Sequence, residues 1–235
     1  LRVLEQLRLP GRCREKVFRR YPPEHGYQAG SDVTTGDKNT AIGFETGNAI
    51  TSGDNNTFVG ALAGDAINTA NDNTAIGYGS LTTAQTASGS VAIGLDAGGT
   101  ITTGNRNIAI GYDALNGAAT TGDNNVAIGV SAGDALTSGK NNVAIGKDAF
   151  TRAAAANEII AIGNNAAGQN TVTTGADGTV AIGFFALGDL SSGANNVAIG
   201  YEALRAEDAN SENTAVGYQA LKTQNGADGN TAVGF

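Results

Sequence analysis

Asparagine returns two positions before a recurrent alanine along most of this 235-residue chain, at Asn39, Asn56, Asn73, Asn107, Asn125, Asn142, Asn196, Asn213 and Asn230. A carboxamide both donates and accepts. Equally spaced copies therefore suit a ladder in which each amide donates to one neighbour and accepts from the other. Acids recur as well: Asp37, Asp54 and Asp123 hold equivalent places in turn-like segments, and stacked carboxylates can hold a hard cation such as calcium. Lys140 and Ala194 take the same place in other repeats, and the spacing is not the GGxGxD nonapeptide of calcium-binding β-rolls. Solvated turn acids are the favoured reading. The only thiol and the only imidazole, Cys13 and His25, precede the repeats. The repeats thus lack the Ser/His, Cys/His and zinc arrangements. The adjacent acids Glu207 and Asp208 read as a solvated turn, and the glycines show no phosphate-loop spacing. The expectation is a protein that is not an enzyme and uses no metal or cofactor.

These residues are carried by a repeat. Each "AIG"-like triplet ends in glycine, at Gly43, Gly60, Gly77, Gly94, Gly111, Gly129, Gly146, Gly163, Gly183, Gly200, Gly217 and Gly234; nine of the eleven intervals are 17 residues, the others 18 and 20. Gly26 stands one period earlier, so the array spans residues 26–235. Such self-similarity marks a stacked array, and 17 residues is too short for a helical-hairpin repeat. Gly, Asn, Thr, Val and Ile also disfavour helix. The triplet alternates β-branched and small residues, as a strand does, and "TSGDN", "TTGDN", "TSGKN" and "SSGAN" are turn chemistry. The expectation is an all-β parallel β-solenoid with one triplet strand per coil, a rod of roughly 55–60 Å at the usual spacing between strands.

Neither face of the strand is polar. One carries pairs such as Thr40/Ile42, Val126/Ile128 and Val197/Ile199, the other Ala and Gly, with Phe58 the sole large residue at the Ala place. One face can line the coil, which leaves the other as a continuous apolar stripe, and stripes of that kind mark interfaces. Self-association along the triplets follows. Four residues after each Gly stands either a large residue (Leu81, Leu115, Phe150, Leu187, Leu204, Leu221) or a small one (Gly30, Gly47, Gly64, Gly98, Gly133, Ala167). After five of the small ones a large apolar residue follows three positions later: Val33, Ile50, Ile67, Ile101 and Leu136. Each coil has one core slot filled from either of two places, as close packing demands. Leu187 with Leu190, and Ala167 with Asn170, break the rule.

Residues 1–25 hold seven basic residues against three acidic, net +4, which leaves −12 on residues 26–235 of a total of −8. An acidic body repels phosphate backbones, so no nucleic-acid partner is expected. No apolar run reaches the length of a transmembrane helix, and no direct membrane insertion is expected. Residues 1–25 read as a basic leader outside the repeats, non-native or a boundary segment. The chain stops inside a motif copy and reads as a fragment.

The segments 39–43, 107–112, 142–146 and 196–201 resemble the N-x-V-A-I-G head repeats of YadA-like trimeric autotransporter adhesins. "NTAVGYQAL" at 213–221, with its TG-D-NN turn, is similar to repeats of phage tail-fibre proteins. The resemblance covers residues 26–235, although autotransporter head units are usually shorter than 17 residues. It implies a left-handed β-roll, a homotrimer of parallel chains, and an extracellular place on a bacterial outer membrane or a virion tail fibre. It further implies a non-enzymatic adhesin whose partners are a host surface protein, matrix or glycan. The alternatives are a structural spacer and a lone ice-binding solenoid. Insertions would favour contact loops, so the segments Asn116–Asp123 and Asn164–Thr179, within the two longest intervals, are the candidate contact loops.

Overall fold

A computed structural model describes residues 26–235 except Ala153, Gln169, Glu207, Asp208 and Asn225. The basic leader and the Glu207–Asp208 pair lie outside the described residues. Twelve three-residue strands, from β1 (Thr40–Ile42) to β12 (Thr231–Val233), form a single parallel sheet in sequence order. Each strand pairs with the next in strict register, Val126 beside Val143 and Ala127 beside Ala144, for example. The 18- and 20-residue intervals leave this register intact. The all-β parallel solenoid of about 17-residue coils expected from the repeat is the fold of this chain.

The invariant glycine has a steric cause. At Gly129 φ is 134°, a region closed to side chains, and an added Cβ would lie 2.6 Å from the carbonyl oxygen of Gly146 in the next coil. Stacking at one strand spacing brings that carbonyl against the α-carbon, so only hydrogen fits.

Alternation then sorts the faces. The central Ala of the triplet points into the coil: Ala75, Ala92, Ala109, Ala127, Ala144 and Ala198 are fully buried. The β-branched residues flank it on the outside, with Ile42, Ile76, Ile93, Ile160 and Ile199 at 36–46% exposed. The small residues are therefore the inner face, and aspartate at Ala127, Ala144 or Ala198 strikes the chain's own core rather than any contact between copies.

The core slot behaves as expected. Leu81, Leu115, Phe150, Leu187 and Leu204 are fully buried in one class of coil, Ile50, Ile67, Ile101 and Leu136 in the other. The first place has positive φ whatever its residue, 57° at Leu81 and 56° at Gly47. A left-handed conformation costs a large residue about 1–2 kcal/mol, against about 1.5–3 kcal/mol gained on burying its side chain. The margin is small, so glycine there with isoleucine three residues on is nearly equivalent. Of the two exceptions, Leu187 and Leu190 are both fully buried in one coil, and the other follows the volume argument. Val172 is fully buried in the lengthened coil and fills the slot that Ala167 leaves, beside a short 3-10 turn at Thr174–Ala176. Phe58 fits the Ala column because Gly47 and Gly64 face it; a Cβ on Gly64 would come within 2.8 Å of its ring.

Gly129→Ala should cost stability at or above the upper end of the ~1–3 kcal/mol typical of a strained backbone position, read by thermal or urea unfolding. One residue inserted between Ala127 and Ile128 inverts the faces of that strand and should lower Tm far more than one inserted between Asn116 and Gly117. Equal losses from the two insertions would contradict this assignment.

Candidate functional site

Two rows of mostly polar side chains follow the rod, one interrupted by Ile159 and the other by Ala194, and both serve the main chain of a neighbouring coil. In the asparagine row the amide oxygen accepts from the next coil's Asn N–H: Asn56 N–H donates to Asn39 Oδ1 at 2.9 Å, and Asn142 N–H to Asn125 Oδ1 at 3.0 Å. The amide nitrogen donates to a carbonyl of that same next coil, Asn125 Nδ2 to Gly139 O at 2.8 Å and Asn107 Nδ2 to Gly122 O at 2.9 Å. The expected amide-to-amide ladder is thereby corrected. Direct contacts between amides occur, as from Asn56 Nδ2 to Asn39 Oδ1 at 3.1 Å and Asn142 Nδ2 to Asn125 Oδ1 at 3.0 Å, but main-chain groups are the regular partners. The reason is that a buried unpaired N–H or C=O is costly, and the turn beside each strand leaves one of each. Where asparagine is missing, Ser90 Oγ accepts from Asn107 N–H at 3.2 Å.

The acidic row runs the opposite way. Here a main-chain N–H donates forward to the side chain of the following coil: Asp37 N–H to Asp54 Oδ1 at 2.6 Å, Asp54 N–H to Asn71 Oδ1 at 2.7 Å, Asn105 N–H to Asp123 Oδ1 at 2.8 Å. Asn and Ser share the row, since any side-chain oxygen of that reach will serve; Ser88 accepts from Asn71 N–H at 3.1 Å. The turn acids are thus coil-to-coil acceptors as well as solvated groups. Among the described residues no three His, Cys, Asp or Glu side chains gather as a metal-holding group.

The residues that bound the two candidate contact loops differ in setting. Thr179, at the end of the second loop, is fully buried in the asparagine row, its hydroxyl donating to Gly193 O at 3.2 Å. Asp123 is an acceptor in the acidic row and lies 3.4 Å from Lys140 Nζ. Asn116 Nδ2 donates to Asp113 Oδ1 at 3.0 Å. Asn164 stands in the row that directly follows the invariant glycine. That row lies beside the outward β-branched residues and with them forms an apolar surface. Tyr27, Phe44, Tyr78, Tyr112, Phe184, Tyr201 and Tyr218 lie on it, each 39–56% exposed. Five of these rings stack between coils: Phe184 on Tyr201 at 5.2 Å, Tyr201 on Tyr218 at 5.1 Å, Tyr27 on Phe44 at 5.9 Å. Reading the triplet alone missed this row, although a period-2 count carried one step past the glycine reaches it.

Two charged features complete the surface. Glu202, almost buried, accepts from Arg205 and Gln219 and pairs with Lys222 Nζ at 2.6 Å, clamping consecutive coils. Its carboxyl is held below the usual glutamate range, chiefly by Lys222 and Gln219. A shallow polar cleft is lined by Ser131, Asp134, Asp148, Thr151, Arg152, Asn165 and Gly168. In it Asp134 Oδ1 is buried without a hydrogen-bond partner among the described residues. Burial, then the charges of Asp148 and Asp113, push Asp134 above its usual range, although Ala135 N–H and Arg152 oppose the shift.

Asn125→Ala leaves Asn142 N–H and Gly139 C=O without partners. It should cost on the order of 3 kcal/mol at about 1–3 kcal/mol per orphaned group, whereas Asn125→Ser should retain part of this, as Ser90 does; chemical denaturation measures both. The two acids should show opposite pH signatures. Asp123 lies below 3.8, mainly because Asn105 N–H donates to it. Its contribution is therefore full above pH 3.8 and disappears as pH falls through its lower folded value. Asp134 lies above 3.8, so its ionised form destabilises the fold at neutral pH, and protonation on acidification removes that penalty. Asp134→Asn should raise Tm at pH 7 and lose its advantage in acid, while Asp123→Ala should lower Tm at pH 7 by an amount that shrinks as acidification protonates the native carboxylate. The reverse pattern in Tm against pH would overturn these assignments.

Compared with known proteins, the chain matches no family model, no curated protein and no solved structure.

Proposed function

We propose that this chain is a non-enzymatic attachment rod, a segment of an extracellular adhesin or fibre head in which three parallel copies associate along their triplet faces. The observation that supports the reading is the outward face of half-exposed isoleucine and aromatic side chains, with rings stacked in two groups toward its ends. A ring offers roughly 150–250 Å² when fully buried. Seven at about half exposure supply some 600 Å² before any isoleucine is counted. A stable interface needs about 800 Å² from each partner, which the β-branched columns readily complete. The number three rests on the resemblance of the N-x-V-A-I-G repeat to trimeric adhesin heads, as do the left-handed roll and the placement on a bacterial surface or a virion.

Polar side chains in this rod are largely committed to the neighbouring coil's main chain, an arrangement suited to rigidity rather than to turnover. The regularity of the coils favours a second reading, a structural spacer in a tail fibre whose binding is performed elsewhere. The two readings share the same assembly and differ in whether the rod touches a host surface protein, matrix or glycan.

Analytical ultracentrifugation of the full chain at micromolar concentration should give a species of three times the 23.5 kDa chain mass. Ile128→Asp with Ile145→Asp, on the outward face, should reduce it to folded monomers with unchanged circular dichroism. A wild type that stays monomeric and folded would defeat the proposal and favour a lone solenoid with a flat face, ice binding included. Binding of the trimer to immobilised matrix proteins or glycans, absent from a shuffled-coil control, would separate adhesin from spacer.

A further inference from the structure

Thirteen residues directly follow a repeat glycine, and eleven are apolar; the two that are not, Lys147 and Asn164, are consecutive and lie in the middle of the rod. Lys147 Nζ sits 3.1 Å from Asp148 Oδ2 with both side chains substantially exposed. Asn164 Oδ1 accepts from Asn165 Nδ2. Neither bond serves coil stacking, which the two ladders and the strand register already satisfy, and an apolar residue at either place would leave the fold intact. We infer that Lys147, Asp148 and Asn164 form a polar layer that sets the axial register between copies of this chain. The inference rests on the proposed parallel assembly.

The argument is one of degeneracy. Every coil presents nearly the same outward surface, so two rods sliding past one another by one coil would exchange Ile for Ile or Val and Tyr for Leu or Phe at little cost. Symmetric parallel copies meet at equal height, and there polar residues of one copy meet polar residues of the next, with each ammonium keeping the Asp148 carboxylate of its own chain at 3.1 Å. Displacement by one coil toward the N-terminus sets Lys147 against Val130, and displacement by two sets it against Tyr112. There apolar side chains cover the Lys147–Asp148 pair, and the desolvation penalty of a buried ion pair can exceed its Coulombic gain. A single polar position inside an apolar seam is known to fix register and oligomer number at a cost in stability, and this layer is placed to act in that way.

The test uses the full chain with Cys13→Ser and a nitroxide on Thr103→Cys, an exposed turn residue away from the face. Oligomer size is read by ultracentrifugation, and register by electron–electron distance measurement. The unaltered layer should give one oligomer and one narrow distance distribution. Lys147→Leu with Asn164→Tyr should be at least as heat-stable but give broadened or additional distances, mixed oligomer sizes, or both. Lys147→Arg, which keeps the charge, should restore uniformity when Asn164 is present. An oligomeric parent whose double variant keeps one size and one distance overturns the register layer and leaves the assembly standing. A monomeric parent overturns both.

Discussion

Everything in this rod follows from holding successive coils one strand spacing apart. At that distance the main chain of each coil is the immediate environment of the next, and every inward or lateral polar group must find its partner there. The consequences are unusually direct. Glycine is required where the neighbouring carbonyl approaches the α-carbon. Asparagine is favoured where a turn leaves one N–H and one C=O unpaired, with Ser90 and Thr179 serving by hydroxyl in two coils and a buried Ile159 interrupting the row in a third. An oxygen-bearing side chain of almost any kind suffices in the acidic row, because only an acceptor is needed there. The strictness of each position thus tracks the number of groups it must satisfy.

The two ladders point in opposite directions along the chain. Asparagine oxygens receive N–H groups from the coil that follows, while the acidic row receives them from the coil that precedes. Each coil is consequently held from both sides by charge-assisted or amide hydrogen bonds besides its three-residue strand. Strands this short would be weak elements alone. Cooperation between sheet and ladders lets an interior built mostly of alanine, with one or two larger side chains per coil, remain closed. Local lengthening is absorbed in the turns, where Val172 and the Thr174–Ala176 turn occupy the extra volume without disturbing register.

A rod so uniform has little means of building a pocket, because neighbouring coils repeat the same side chains instead of converging different ones. Its distinctive surface is linear: outward β-branched columns beside a row of stacked rings. The few departures from the repeat, among them Lys147, Asn164, the Glu202 clamp and the Asp134 cleft, then carry information that the regular positions cannot.

The period, the strand within each triplet, the parallel stacking and the two-place core slot were all legible in the chain, because a repeated local pattern can be satisfied by one stacking geometry alone. Leu81 and Ile50 could be assigned to one slot from volume alone, and both are fully buried. What the sequence left open was which apolar face turns inward, since Ala/Gly and Val/Ile columns are equally hydrophobic and alternate identically. The choice lies in the tertiary structure: a core one coil thick, already holding a leucine or isoleucine, has room for alanine and excludes the bulkier column. The partners of the asparagine and aspartate rows were equally hidden, because an amide's preference for a neighbouring amide or a neighbouring main chain depends on turn geometry that composition does not encode. Thr179 shows the same limit, read as a loop residue beside an insertion yet buried as a ladder member, because register across coils overrides position along the chain.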